Sequence, residues 1–129
     1  MKEIIEVPFL SDALRRLNTP TSLLIRSGSM LYTCGLPPLD PLTGNIVRGT
    51  IIEQTHAVLQ VMKVVLESAG SCLDNVVKTT IFVTDPSMMD EVNTVYRKYF
   101  PENPPVRSFV AVKPWPFPFD IEIDVVAHL

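Results

Sequence analysis

The amino-acid sequence predicts an α+β domain, a mixed six-stranded sheet with two helices on one face. Three observations carry that reading. Thr50–Ala69 and the stretch after Asp85-Pro86 hold apolar residues at helical spacing. Runs rich in β-branched residues lie before, between and after them. The last run, Phe119–Ala127, alternates Ile121, Ile123, Val125 and Ala127 with Asp120, Glu122 and Asp124. Successive strand side chains point to opposite faces, so this strand has an apolar face for the core and an acidic face for solvent, ligand or a partner.

The elements follow in order. Lys2–Val7 has the mixed apolar character of a short strand, and Leu10–Leu17 a faint helical rhythm soon interrupted by Pro20. Ser22–Arg26 and Met30–Cys34 flank Ser27-Gly28-Ser29, a hairpin signal. Gly35–Gly49, dense in Pro, Gly, Asp and Asn, predicts an ordered loop of successive turns. Thr50 with Glu53 three residues on is a capping-box pair at the start of the strongest helix. Its core stripe is Ile51, Thr55, Val58, Met62, Val65, Leu66 and Ala69, and Gly70 is the natural residue past its end.

Asn75–Thr84 reads as a central strand. Asp85-Pro86 opens the second helix, with Asp as cap and Pro at the first helical position. Met88, Val92, Val95, Tyr96 and Tyr99 make its stripe, and Pro101 ends it. Val106–Val112 places Arg107, Phe109 and Ala111 on one face and Val106, Ser108, Val110 and Val112 on the other. Helices between strands imply crossovers, right-handed where they join parallel strands. Both helices then cover one face of the sheet. A domain of this size does not leave a wide apolar sheet face in water, so the other face is expected to pack on copies of the same chain.

Composition narrows the function classes. A chain of 129 residues suits one domain, 1–129, and 47% hydrophobic residues exclude a disordered chain. The formal net charge of −3, with scattered cations, argues against a nucleic-acid groove. Neither a leader nor a bilayer-length apolar run is evident, so a cytoplasmic protein is expected, with no membrane partner. Cys34 and Cys72 have no CxxC spacing and no metal-ligand cluster around them, and are expected as free thiols, with no metal and no cofactor.

Several motifs, in order, resemble the RidA/YjgF family: LYTCGLPPLDPLTGNIV (Leu31–Val47), the helix from Thr50 with Gln54-Thr55, NVVKTTIFVTD (Asn75–Asp85), VNTVYRKYFP (Val92–Pro101), and PPVRSFVAV with DIEIDVVA (Pro104–Ala127). The resemblance runs from about Pro20 onward. It implies a chorismate-mutase-like subunit whose last two strands need not be neighbours. It also implies a homotrimer with clefts between subunits, and hydrolysis of reactive enamine/imine intermediates to keto acids and ammonia. Residue by residue, Arg107 matches the arginine that grips the substrate carboxylate and Glu122 the acid of the final strand. Gly35 matches the glycine lining the cleft, Cys34 the small residue before it, and Asn93 the asparagine of the second helix. The chain departs from the pattern at Pro20-Thr21, where the well-known imine deaminases carry Pro-Tyr, and at Phe109 and the bulky KPWPFP loop.

Arginine's planar fork suits a carboxylate, so Arg107 is the expected clamp for a small carboxylated substrate. An imine carbon beside a carboxylate is already electrophilic, and the site needs to orient it, protonate the right atom and deliver water. Glu122 is the candidate to orient or deprotonate that water, and Cys34, by backbone or thiol, to hold the water or leaving nitrogen. Gly35, Asn93, Thr21 and Trp115 complete the expected substrate contacts. Trp115, Phe117 and Phe119 read equally as a pocket lip or as subunit packing. Alternatives to a general enamine/imine deaminase are a specialised catabolic deaminase of the 2-aminomuconate type and a non-catalytic trimeric metabolite-binding protein.

Overall fold

The computed structural model describes residues 1–129. It contains strands β1 (Glu3–Ile5), β2 (Leu24–Ser27), β3 (Met30–Thr33), β4 (Val76–Val83), β5 (Val106–Ala111) and β6 (Ile121–His128). The α-helices are α1 (Leu10–Arg16), α2 (Ile51–Ser68) and α3 (Met89–Tyr99). All six strands join one sheet in the order β1-β2-β3-β6-β4-β5. The sheet is mixed: β4 and β5 run parallel and every other pair is antiparallel. As the family resemblance implied, β5 and β6 are separated, with β4 between them.

The local signals act as their chemistry dictates. Gly28, at φ 62°, opens the two-residue turn that joins Ser27 to Met30. A positive φ at the first turn position matches the right-handed twist of paired strands. Thr50 and Glu53 form both halves of the capping box, and Gly70 turns the chain out of α2 at φ 80°. Asp85 caps a short 3₁₀ turn, Pro86–Met88, through its carboxylate and the Ser87 N–H, and α3 follows directly. Between β3 and α2 the chain is pinned by turns about Asp40 and by single bridges from Leu36 to Ile123 and Leu39 to Ile46.

The core lies between the helices and one sheet face. Val58, Met62, Val65 and Leu66 of α2 are fully buried, as are Ile81, Ile121 and Ile123 of the central strands. Each such side chain contributes on the order of 2 kcal/mol by leaving water. The faint rhythm at Leu10–Leu17 is a true helix, a third beside the two expected. Leu10, Ala13 and Leu14 seal the core edge, and the Val7 N–H donates to Ser11 Oγ at 2.8 Å. Packing rather than propensity stabilises so short a helix. No helix covers the other sheet face, where Ile25, Tyr32, Phe82 and Val126 lie among Lys78, Thr80, Glu122 and Asp124. No helix is long and apolar enough to cross a membrane.

Candidate functional site

The register of the sheet divides the sequence-predicted residues between its two faces. Arg107 lies opposite Thr79, which is buried under the helices, so Arg107 points to the helix side. Glu122 lies opposite Phe82, one step from the core residue Ile123, so it points to the bare side. Within one chain the arginine and the glutamate therefore do not converge. Within one chain the expected residues Arg107, Glu122 and Cys34 thus form two separate groups.

The first group sits where α3 meets the edge strand β5. Arg107 Nη2 donates to Asn93 Oδ1 at 2.6 Å. Its guanidinium carbon lies 5.0 Å from the Tyr96 ring centre and 5.8 Å from that of Phe109. Tyr96 is fixed in turn by a 2.8 Å hydrogen bond between its hydroxyl and Thr79 Oγ1. Burial pushes the Tyr96 phenol up, an effect that Thr79 and Arg107 partly offset. The fork is thus held at one edge, with aromatic faces beside it and N–H groups left for a ligand. It opens into a cavity of about 320 Å³, lined by Asn93, Tyr96 and Arg97 of α3, by Phe100 just past the helix end, and by Pro104 and Pro105. Asn93, expected on the substrate, lines this cavity and also holds the arginine.

The second group sits on the bare face. Leu36 and Ile123 exchange two backbone hydrogen bonds, 2.8 and 3.1 Å, which bring Gly35 against Glu122. A Cβ on residue 35 would collide with Glu122 Oε1, so only glycine admits the carboxyl there. Asp120, just before β6, and Glu122 and Asp124 within it separate in role. Asp120 accepts from Gln54 and Thr84 side chains at 3.2 and 3.0 Å. Asp124 accepts the Thr80 N–H at 3.1 Å. Glu122 has no such donor in the chain. Burial, with the Asp124 carboxylate adding to it, pushes Glu122 up to about 7. Burial first, and then Glu122, push the Cys34 thiol up to about 12. Cys34 is accordingly a neutral thiol at neutral pH, its Sγ 3.5 Å from the Gly35 carbonyl oxygen.

An open depression of about 520 Å³ continues from Cys34 and is lined by Thr33, Thr21, Ser22, Tyr32 and Lys2. Thr21 and Cys34 therefore line the same depression. Trp115 lines neither cavity; it packs at 5.3 Å on Phe119, which stacks on Phe117 at 5.9 Å. Sequence reasoning missed Arg97, Tyr96, Tyr32 and Lys2 as lining residues. Arg97 was legible in principle, because Asn93, Tyr96, Arg97 and Phe100 share one helical stripe. Both cysteines are free.

The chain and its fold have counterparts among known proteins. A family model described as Endoribonuclease L-PSP matches residues 14–129. A RutC family protein of Pyrococcus horikoshii is 39% identical over 128 residues, 99% of this chain and 98% of that one. The chloroplastic Reactive Intermediate Deaminase A of Arabidopsis thaliana is 36% identical over 110 residues, 85% of this chain and 59% of that one. The crystal structure of a Thermotoga maritima protein described as a putative endoribonuclease superposes with a TM-score of 0.88 at 40% identity, covering 100% of this chain and 98% of that one. The chain belongs to the RidA/YjgF family.

Proposed function

We propose that the protein hydrolyses a reactive enamine/imine intermediate bearing a carboxylate, giving a keto acid and ammonia, in clefts between the subunits of a homotrimer. The observation that carries this reading is the division of the candidate residues: a prepared guanidinium on one face and a carboxyl raised to about 7 on the other. A second copy laid against the bare face supplies what each chain lacks, Arg107 from one subunit and Glu122 with Gly35 from its neighbour. The uncovered apolar side chains of that face support the same assembly. One relative carries the name Reactive Intermediate Deaminase A, and this reading extends its chemistry to the present chain.

Arg107 binds the carboxylate and so orients the adjacent C=N carbon. Glu122, as carboxylate, takes a proton from the attacking water, whose oxygen bonds to that carbon while the C=N π pair moves to nitrogen. Glu122 passes that proton to the nitrogen, and the carbinolamine collapses as its hydroxyl proton moves to the Glu122 carboxylate and on to the nitrogen while the C–N bond breaks, releasing ammonia and leaving the C=O of the keto acid. The Cys34 thiol, neutral, serves as a hydrogen-bond donor and not as a nucleophile.

The test is deamination of 2-aminoacrylate generated in situ, with wild type, Arg107→Ala and a no-protein control. Wild type is expected to accelerate ammonia and pyruvate release, and Arg107→Ala to lose about two orders of magnitude in kcat/KM through the missing charge-assisted bonds. Equal turnover by the two proteins removes Arg107 from the site. No acceleration by wild type removes the general deaminase and leaves a specialised catabolic deaminase or a trimeric binding protein.

A further inference from the structure

Strand β3 leaves its partner β6 where the second half-site begins. The two pair regularly from Met30 with His128 to Tyr32 with Val126. Pairing resumes at Leu36 with Ile123. Thr33, Cys34 and Gly35 therefore stand opposite only Asp124 and Val125, which makes a bulge of one extra residue after Tyr32. The extra residue reverses the alternation of faces. Leu31 and Leu36, five positions apart in the chain, are both fully buried. Gly35, which regular alternation would put on the face of Leu31, comes instead against the Glu122 carboxyl on the bare face.

One side chain fills the gap in the ladder. The Leu129 N–H bonds the Ser29 carbonyl at 2.9 Å, and the same spacing along both strands would set the Val125 N–H on the Thr33 carbonyl. That N–H donates instead to Thr33 Oγ1 at 3.1 Å. The same hydroxyl donates to the Cys34 carbonyl oxygen at 2.8 Å. It thus satisfies a strand N–H that the bulge deprives of its backbone partner, and it fixes the peptide that leads into Gly35. We infer that Thr33 is a positioning residue, whose hydroxyl holds the bulge that sets Gly35 against Glu122. The inference rests on the proposed deaminase reading and adds to it the residue that fixes where the base stands. Thr33 makes no bond to Glu122 and acts through the backbone.

The experiment compares wild type, Thr33→Val and Thr33→Ser as assembled proteins. Valine keeps the branched shape that suits a strand and has neither donor nor acceptor. The readouts are carbon NMR titration of the glutamate carboxyls, with Glu122→Gln assigning the Glu122 signal, and turnover of 2-aminoacrylate. The charged and titratable groups on the face of Glu122 are Asp124 on its own strand, Cys34 on the bulge, Lys78 farther along β4 and, in the proposed cleft, Arg107 of the partner subunit. Both variants keep all of them, so a change in the Glu122 midpoint reports its position. In Thr33→Val that midpoint is expected to fall from about 7 toward 4.5 as the carboxyl gains water. There kcat/KM is expected to fall about tenfold, most of it in kcat. Thr33→Ser is expected to recover most of both. An unmoved midpoint in folded Thr33→Val overturns the inference, whatever the melting temperature does. Loss of the fold in Thr33→Val beside a sound Thr33→Ser overturns it as well, because the hydroxyl then serves the whole sheet. The titration needs no substrate, so the two readings fail separately. A midpoint that depends on Thr33 without turnover sinks only the deaminase, and turnover with a midpoint indifferent to Thr33 sinks only the positioning role.

Discussion

The two candidate half-sites are built in opposite ways. Around Arg107 every neighbour is a support: Asn93 accepts from it, Tyr96 and Phe109 flank it, and Thr79 holds Tyr96. Around Glu122 the chain supplies a lack of support: a glycine that makes room, no hydrogen-bond donor, and a nearby acid that discourages ionisation. A cation meant to bind must be held still before the ligand arrives, because fixing a long side chain on binding costs about 2 kcal/mol of rotamer freedom. A carboxyl meant to move protons needs a pKa near the working pH, and desolvation without a partner provides it. The comparison predicts that disturbing the second half-site alters chemistry, and that disturbing the supports of the first alters binding and stability.

The largest effect is expected from Gly35→Ala. The added Cβ meets the end of a flexible side chain rather than backbone, so Glu122 swings away and the fold holds. A misplaced base is expected to cost about two orders of magnitude in kcat/KM, most of it in kcat. The melting temperature should move little. A variant with full turnover would show that the position of the Glu122 carboxyl is immaterial to the reaction.

Glu122→Gln tests the same half-site through pH. If the carboxylate is the base, kcat/KM of wild type rises with pH and levels off above about 7, and the variant loses that inflection. Stability carries the opposite sign. The folded-state pKa lies above the unfolded value of 4.5, so the neutral acid favours the fold. That contribution is complete below the unfolded value and is lost as pH rises through about 7. Glutamine never ionises, and the variant is expected to be more stable than wild type at pH 8 by about 1 kcal/mol, a figure reduced for partial exposure. At pH 5 the difference should shrink toward zero, which thermal melts at the two pH values decide.

How much of this was legible in the sequence depends on how far apart the partners lie. The capping box at Thr50, the Asp85 cap and the Gly28 turn are local, and the residues that form them are three or fewer positions apart. The strand faces of β6 follow from alternation, down to Glu122 and Asp124 pointing away from the core. Asp120 was grouped with those acids because alternation cannot see Gln54, 66 residues away, which takes its carboxylate and its N–H into one network. The α1 helix was faint because its stability comes from the core it covers. The division of Arg107 from Glu122 required knowing which face of β5 meets the helices. The alternation of β5 left that open, because Val106 and Val110 are as apolar as Phe109.

The smallest effect separates support from contact in the first half-site. Tyr96→Phe keeps the ring that lies 5.0 Å from Arg107 and removes the hydroxyl that bonds Thr79. Thr79 is wholly buried, so its Oγ1 loses that partner in the core, and the expected loss is about 1–2 kcal/mol of unfolding free energy in urea titration. The cation–π contact survives because it belongs to the ring, so KM and kcat should each stay within about twofold of wild type. A stability loss with intact kinetics would identify the hydroxyl as part of the core and the ring face as the part that serves the arginine. A large rise in KM would mean instead that the Thr79–Tyr96 bond sets where the guanidinium stands, and that the clamp is held through a chain running from β4 across α3 to β5.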